Sequence, residues 1–176
     1  EKDLYKVGTV AHLIKILQMP DGNTTVIIQG KKRFEITGFV QDEPYFRAEI
    51  KDLADYSKNI DKDDHFMALI GSLKDLALQI IKLSPNIPSE AAFAIKNIES
   101  PVFLVNFVSS NLNINLKEKQ ELLEISEVRE RANKVLAALS KELQMLELKN
   151  QIQGKVKNEM DKQQRDYMLN QQLKTI

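Results

Sequence analysis

The chain has 176 residues, 25 basic and 25 acidic side chains, a formal net charge of zero and no cysteine. Balanced charge disfavours a dedicated nucleic-acid binder, whose affinity rests on phosphate neutralisation, and equally an electrostatic attachment to membranes. Without cysteine, disulfides and thiolate metal sites are excluded.

The first third reads as β structure. Four of the six glycines, Gly8, Gly22, Gly30 and Gly38, precede residue 40. Residues 7–19 form a strand pattern that ends at Pro20-Asp21-Gly22. There proline presets the dihedral of the second turn position and glycine accepts a positive one. Residues 24–29 (TTVIIQ) read as a buried strand ending at Gly30, residues 34–40 alternate around Gly38, and residues 45–50 follow the turn Asp42-Glu43-Pro44. Short strands separated by turn residues predict a small antiparallel sheet or partial barrel.

From Asp61 the period becomes helical. Phe66, Leu69, Ile70, Leu73, Leu76, Ala77, Ile80, Ile81 and Leu83 give one helix a wide apolar face. Ser84-Pro85 and Ile87-Pro88 end it, and residues 91–98 form a short helix. Ser100-Pro101 pairs an N-cap with proline at the first helical position and opens a helix expected to be buried nearly all round. Asn115 and Glu118 have capping-box spacing for a helix over 117–125. Ser126 is expected to cap the next helix, with Glu127 against the positive end of its dipole.

That last helix is the unusual element. Residues 126–176 contain no proline and a single glycine, Gly154, so one helix of roughly 75 Å is predicted. Val128, Ala132, Val135, Leu139, Leu143 and Leu146 make a seam expected to pack on the preceding helices. Extending the heptad places Lys149 and Gln153 at seam positions, with Asn150 and Gly154 alongside, which marks a hinge. Beyond it Val156, Met160, Tyr167, Leu169 and Leu173 find no partner in this chain and form a candidate docking face. The pattern still runs at Ile176, which leads to the expectation that the sequence belongs to a longer protein.

No catalytic constellation emerges. Gly30-Lys31-Lys32-Arg33 lacks the second glycine and the hydroxyl of a phosphate loop. The pairs Ser72/Lys74 and Ser140/Lys141 read as solvated helical residues, and His12 as a structural strand residue. Asp61, Asp63, Asp64 and His65 sit at a helix start, where carboxylates favour the dipole, and lack the glycine that a calcium loop needs. Catalytic, cofactor and metal residues are therefore expected to be absent. Lys31-Lys32-Arg33 beside Phe34, Phe39, Tyr45 and Phe46 suggests an RNA surface at first sight. Glu35, Asp42, Glu43 and Glu49 interrupt it, and core aromatics with an exposed basic turn are the better reading.

In this order the motifs resemble the N-terminal region of the ATP-dependent Lon proteases. The resemblance rests on Val7-Gly8-Thr9-Val10-Ala11, Met19-Pro20-Asp21-Gly22, Gly30-x-x-Arg33, Lys119-Gln120-x-Leu122-Leu123-Glu124, and above all Gln164-Arg165-Asp166-Tyr167-x-Leu169-x-Gln171-Gln172-Leu173-Lys174-x-Ile176. It implies an α+β fold: part of a PUA-like antiparallel β domain over 1–56, a helical bundle over 57–125, and a long projecting helix over 126–176. It further implies capture of unfolded or degron-bearing proteins, with ATP and Mg2+ confined to an ATPase module outside this sequence. The serine–lysine protease chemistry would also lie outside it. Self-association into a hexamer and a bacterial-type cytoplasm, rather than the mitochondrial matrix, are implied as well. Membranes are not expected as partners. The rival from a different class is a stand-alone PUA-like RNA-binding module with a dimerising coiled coil.

Overall fold

The computed structural model describes residues 3–57 and 62–174; Asp61 and Ile176 lie outside the described residues. The sheet has three antiparallel strands in the order β1 (Val7–Gln18), β2 (Thr24–Gln41) and β3 (Arg47–Leu53). Among the described residues five helices follow: α1 (Asp64–Leu83), α2 (Glu90–Asn97), α3 (Pro101–Asn111), α4 (Leu116–Glu124) and α5 (Val128–Lys174).

The hairpin turn forms as its residues demand. Gly22 N–H donates to Met19 C=O at 3.0 Å, Asp21 Oδ1 accepts from Asn23 N–H at 3.0 Å, and Gly22 has φ +86°. Gly30-Lys31-Lys32-Arg33, expected to be a turn, instead lies inside the single 18-residue strand β2. The strand stays continuous because β1 tolerates it with a bulge. Val10 pairs with Lys32 and Ala11 with Gly30, leaving Lys31 extra. A second bulge leaves Ile14 without a partner position between Leu13 and Lys15. At Gly8 the ring of Phe34, its cross-strand neighbour, lies where a Cβ would come within 2.8 Å of Cζ, so only glycine accepts this ring without displacement.

The core belongs to the helices. Phe66, Leu73, Leu104, Val105, Val128 and Val135 are almost wholly enclosed, and the apolar cluster around them draws on no described residue before Phe66. Asp63 caps α1 by accepting from His65 N–H and Phe66 N–H. Ser100 caps α3 with Pro101 in the first turn, and Asn115 and Glu118 close a reciprocal capping box on α4. Helix α3 is not buried all round: Leu104, Val105 and Val108 face inward, while Phe103 is 58% exposed and stacks near Phe107. The cap of α5 is Glu127 rather than Ser126. Its carboxylate accepts from Arg129 N–H and Glu130 N–H, while the Ser126 carbonyl accepts from Tyr56 N–H at 2.7 Å.

Cations from distant elements satisfy the C-terminal carbonyls of the short helices. Lys74 donates to the carbonyls of Lys96 and Ile98 at the end of α2, and Lys119 to that of Ser110 near the end of α3. Lys74 is thus a helix-end cap rather than a solvated residue. Each cation meets orphan acceptors at the negative end of a helix dipole.

Candidate functional site

Two exposed apolar surfaces and one buried polar junction stand out. The first surface is the far end of the β1–β2 hairpin, which β3 does not reach because it pairs only with residues from Arg33 to Gln41. Leu13 lies opposite Ile28 and Ile16 opposite Val26, so the four side chains share one face. They are between 44% and 62% exposed. Residues 24–29, expected to be buried, are therefore exposed, because no described element packs over the hairpin. Strand β1 is also a sheet edge: among the described residues no strand pairs with its outer side, and Gln120 donates to the carbonyl of Val7 at its start.

The second surface is the far half of α5. Leu146 is the last residue partly packed on the core, and every described residue from Glu147 on is exposed. Met145, Leu148, Ile152, Val156, Met160 and Tyr167 form a single stripe, each at least 49% exposed. Met145, Val156 and Tyr167 recur every eleven residues, a spacing that drifts by only about 20° per repeat around a straight helix. Leu169 and Leu173 are exposed too and lie on one flank of this stripe, toward the side of Leu148. Lys149, Asn150, Gln153 and Gly154 lie within the unbroken helix, just past the point where it leaves the core.

The junction joins sheet to helices. Arg33 on β2, 9% exposed, donates through Nη1 to the carbonyls of Leu123 at 2.7 Å and Ile125 at 3.1 Å, at the C-terminal end of α4. Its Nη2 reaches the Ala54 carbonyl at 3.3 Å and Asp55 Oδ1 at 2.8 Å. Arg131 on α5, 2% exposed, donates to the same Asp55 oxygen at 2.7 Å, to Asn106 Oδ1 at 2.5 Å and to the Ile125 carbonyl. Burial first, and then the neighbouring Arg131, pull the pKa of Arg33 below the usual arginine value, while Asp55 opposes them. Sequence reading noted Arg33 only as part of a motif and passed over Asp55 and Arg131, whose partners stand 76 or more positions away in some cases.

The basic triplet does not form a surface. Arg33 is consumed by the junction, Lys32 pairs with Asp52 at 2.6 Å, and Lys31 donates to Gln29 at 2.8 Å. Phe39 and Phe46 meet edge to face rather than presenting parallel platforms. Asp63 serves α1 as its cap and pairs with Arg129, which also stands over the Phe66 ring. Among the described residues no cluster of His, Asp and Glu is arranged to hold a metal ion, and no helix is long and apolar enough to cross a membrane.

The family model described as the ATP-dependent protease La (LON) substrate-binding domain matches residues 1–141, ending within the part of α5 that packs on the core. The chain is 58% identical over 174 residues to a Lon protease of Flavobacterium johnsoniae and 48% identical over 175 residues to one of Cytophaga hutchinsonii. In both cases 99% of this chain but only 21% of the relative is covered, so the chain spans about a fifth of the curated relatives it matches. Its fold is similar to the solved N-terminal domain of the Mycobacterium avium complex Lon protease, with a TM-score of 0.66 at 19% identity, covering 78% of this chain and 72% of that one. With an antiparallel sheet leading into a helical body, as in that solved domain, and a family model matched over most of its length, this chain belongs to the substrate-binding domain family of the Lon proteases.

Proposed function

We propose that the chain is the substrate-engaging and assembly region of an ATP-dependent serine protease of protein quality control. The observation that carries this reading is the exposed apolar face of Leu13, Ile16, Val26 and Ile28, on a strand pair with a free backbone edge. Unfolded and degron-bearing proteins display extended apolar segments, and such a face with an open ladder offers them both burial and main-chain pairing. ATP and Mg2+ would act in an ATPase module elsewhere in the whole protein, as would the serine–lysine chemistry. The stripe from Met145 to Tyr167 is assigned to contacts with other copies in a hexamer or with the ATPase ring. Lys149, Asn150, Gln153 and Gly154 are assigned to a joint that lets the capture platform shift. A bacterial-type cytoplasmic setting belongs to the same reading. The dispersal of Lys31, Lys32 and Arg33 favours protein capture over RNA binding.

Fluorescence anisotropy with labelled casein tests the reading. Binding should survive molar salt, since apolar burial is not screened. Replacing both Ile16 and Ile28 with Glu should weaken it at least about tenfold, because each buried isoleucine is worth about 1.5–3 kcal/mol. Unchanged casein affinity in that variant refutes the assignment, as does tight, steeply salt-dependent binding of single-stranded RNA by the wild type.

A further inference from the structure

Among the described residues, the sheet contributes nothing to the buried apolar core of the helical body. Every described member of the buried cluster comes from the helices or the loops between them, starting at Phe66. Polar contacts tie the sheet to the helices: Gln120 Nε2 donates to the Val7 carbonyl at 2.9 Å, the backbone at Tyr56 bridges to Ser126 and Val128, and Arg33 reaches into the end of α4. Among the described residues, charged groups from both bodies converge at Asp55. One oxygen of this carboxylate takes Nη2 of Arg33, from the sheet, and Nη2 of Arg131, from α5. The carboxylate therefore stands between two buried guanidiniums that repel each other, and three backbone carbonyls and Asn106 spread the remaining positive charge.

We propose that Asp55, Arg33 and Arg131 form a charge-held clamp that fixes the orientation of the sheet on the helical body, and that the sheet swings as a separate unit once the charge on the carboxylate is removed. The physical reason is an asymmetry. The Asp55 carboxylate is 28% exposed, but the two guanidinium side chains are only 10% and 2% exposed, and loss of their shared partner leaves buried positive charge uncompensated. Here that loss leaves two like charges on opposite sides of the joint, so a lost attraction becomes a repulsion between the two bodies. The helical body has its own core and is not held by this carboxylate. The inference stands whatever the hairpin binds.

The cysteine-free sequence allows clean spin labelling. Exposed Thr25→Cys on β2 and Glu147→Cys on α5 report sheet against body, and Asp75→Cys with Glu147→Cys reports within the body. Electron–electron double resonance on the whole chain should give a narrow sheet–body distribution in the otherwise wild-type protein. Asp55→Asn keeps the shape and removes the charge; its sheet–body distribution should about double in width, with helicity and the within-body distance unchanged. Asp55→Glu keeps the charge and alters the shape, and should restore most of the narrowness. A narrow distribution in Asp55→Asn overturns the proposal, and so does equal broadening in Asp55→Glu, which would show that shape rather than charge holds the joint. Loss of helicity in Asp55→Asn overturns it too, since sheet and body would then be one cooperative unit.

Discussion

Gly154→Ala isolates the backbone contribution to the far half of α5. A Cβ at Gly154 meets nothing within 4 Å, and no described residue from Glu147 on is buried, so the substitution changes neither packing nor a tertiary contact. What remains is the conformational cost of glycine in a helix interior, about 1 kcal/mol relative to alanine. At about 1.4 kcal/mol per factor of ten, local opening around residue 154 should become roughly fivefold rarer. Amide hydrogen exchange on the intact chain reads this directly. In the wild type, Lys149 to Gly154 should exchange much faster than Val135 to Leu143, which are anchored by Val135, Leu139 and Leu143 in the core. In Gly154→Ala the slow segment should be unaltered and the fast one slowed about fivefold. Equal protection of the two segments in the wild type refutes the hinge. An unchanged rate in the variant refutes the claim that glycine weakens it.

The remaining predictions bear on the core, the turn and the α1 cap. Leu104→Ala, at a 1% exposed position, should cost about 2–5 kcal/mol in urea unfolding, whereas Ile28→Ala on the hairpin should stay within about 0.5 kcal/mol. Similar losses at both positions would contradict the division between core and exposed face. Gly22→Ala forces a side chain into φ +86° and should lower stability by about 1–2 kcal/mol without altering helical circular dichroism. The hydrogen bond from Arg129, followed by that from Phe66 N–H, holds the Asp63 carboxyl below its ordinary pKa. Its contribution is therefore present above the unfolded value and is lost as pH falls through the lower folded value. Thermal unfolding followed from neutral pH into that acid window should show a stability loss that is smaller in Asp63→Ala; an identical pH profile would contradict this role.

Local chemistry was legible in the sequence wherever both partners lie within a few residues. Pro20-Asp21-Gly22, the Ser100-Pro101 start, the Asn115/Glu118 capping box and the apolar seam from Val128 to Leu146 all appear as read, because spacing alone brings their atoms together. The misreadings share the opposite cause. Gly30 to Arg33 resembles a turn by composition, but its conformation is set by β1, which accepts Lys31 as a bulge. Residues 24–29 have the composition of a buried strand, and whether a strand is covered depends on what packs over it. Ser126 is a better N-cap by propensity than Glu127, yet its carbonyl is drawn into a bridge with Tyr56 and the neighbouring carboxylate takes the amides. The sequence by itself determined the order of the elements, the long helix and the family motifs, since these depend on periodicity and short-range sterics. Tertiary structure alone decided the junction of Arg33, Asp55 and Arg131. A guanidinium can satisfy carbonyls and a carboxylate far along the chain only after folding has brought them within about 3 Å, and no spacing rule encodes that meeting.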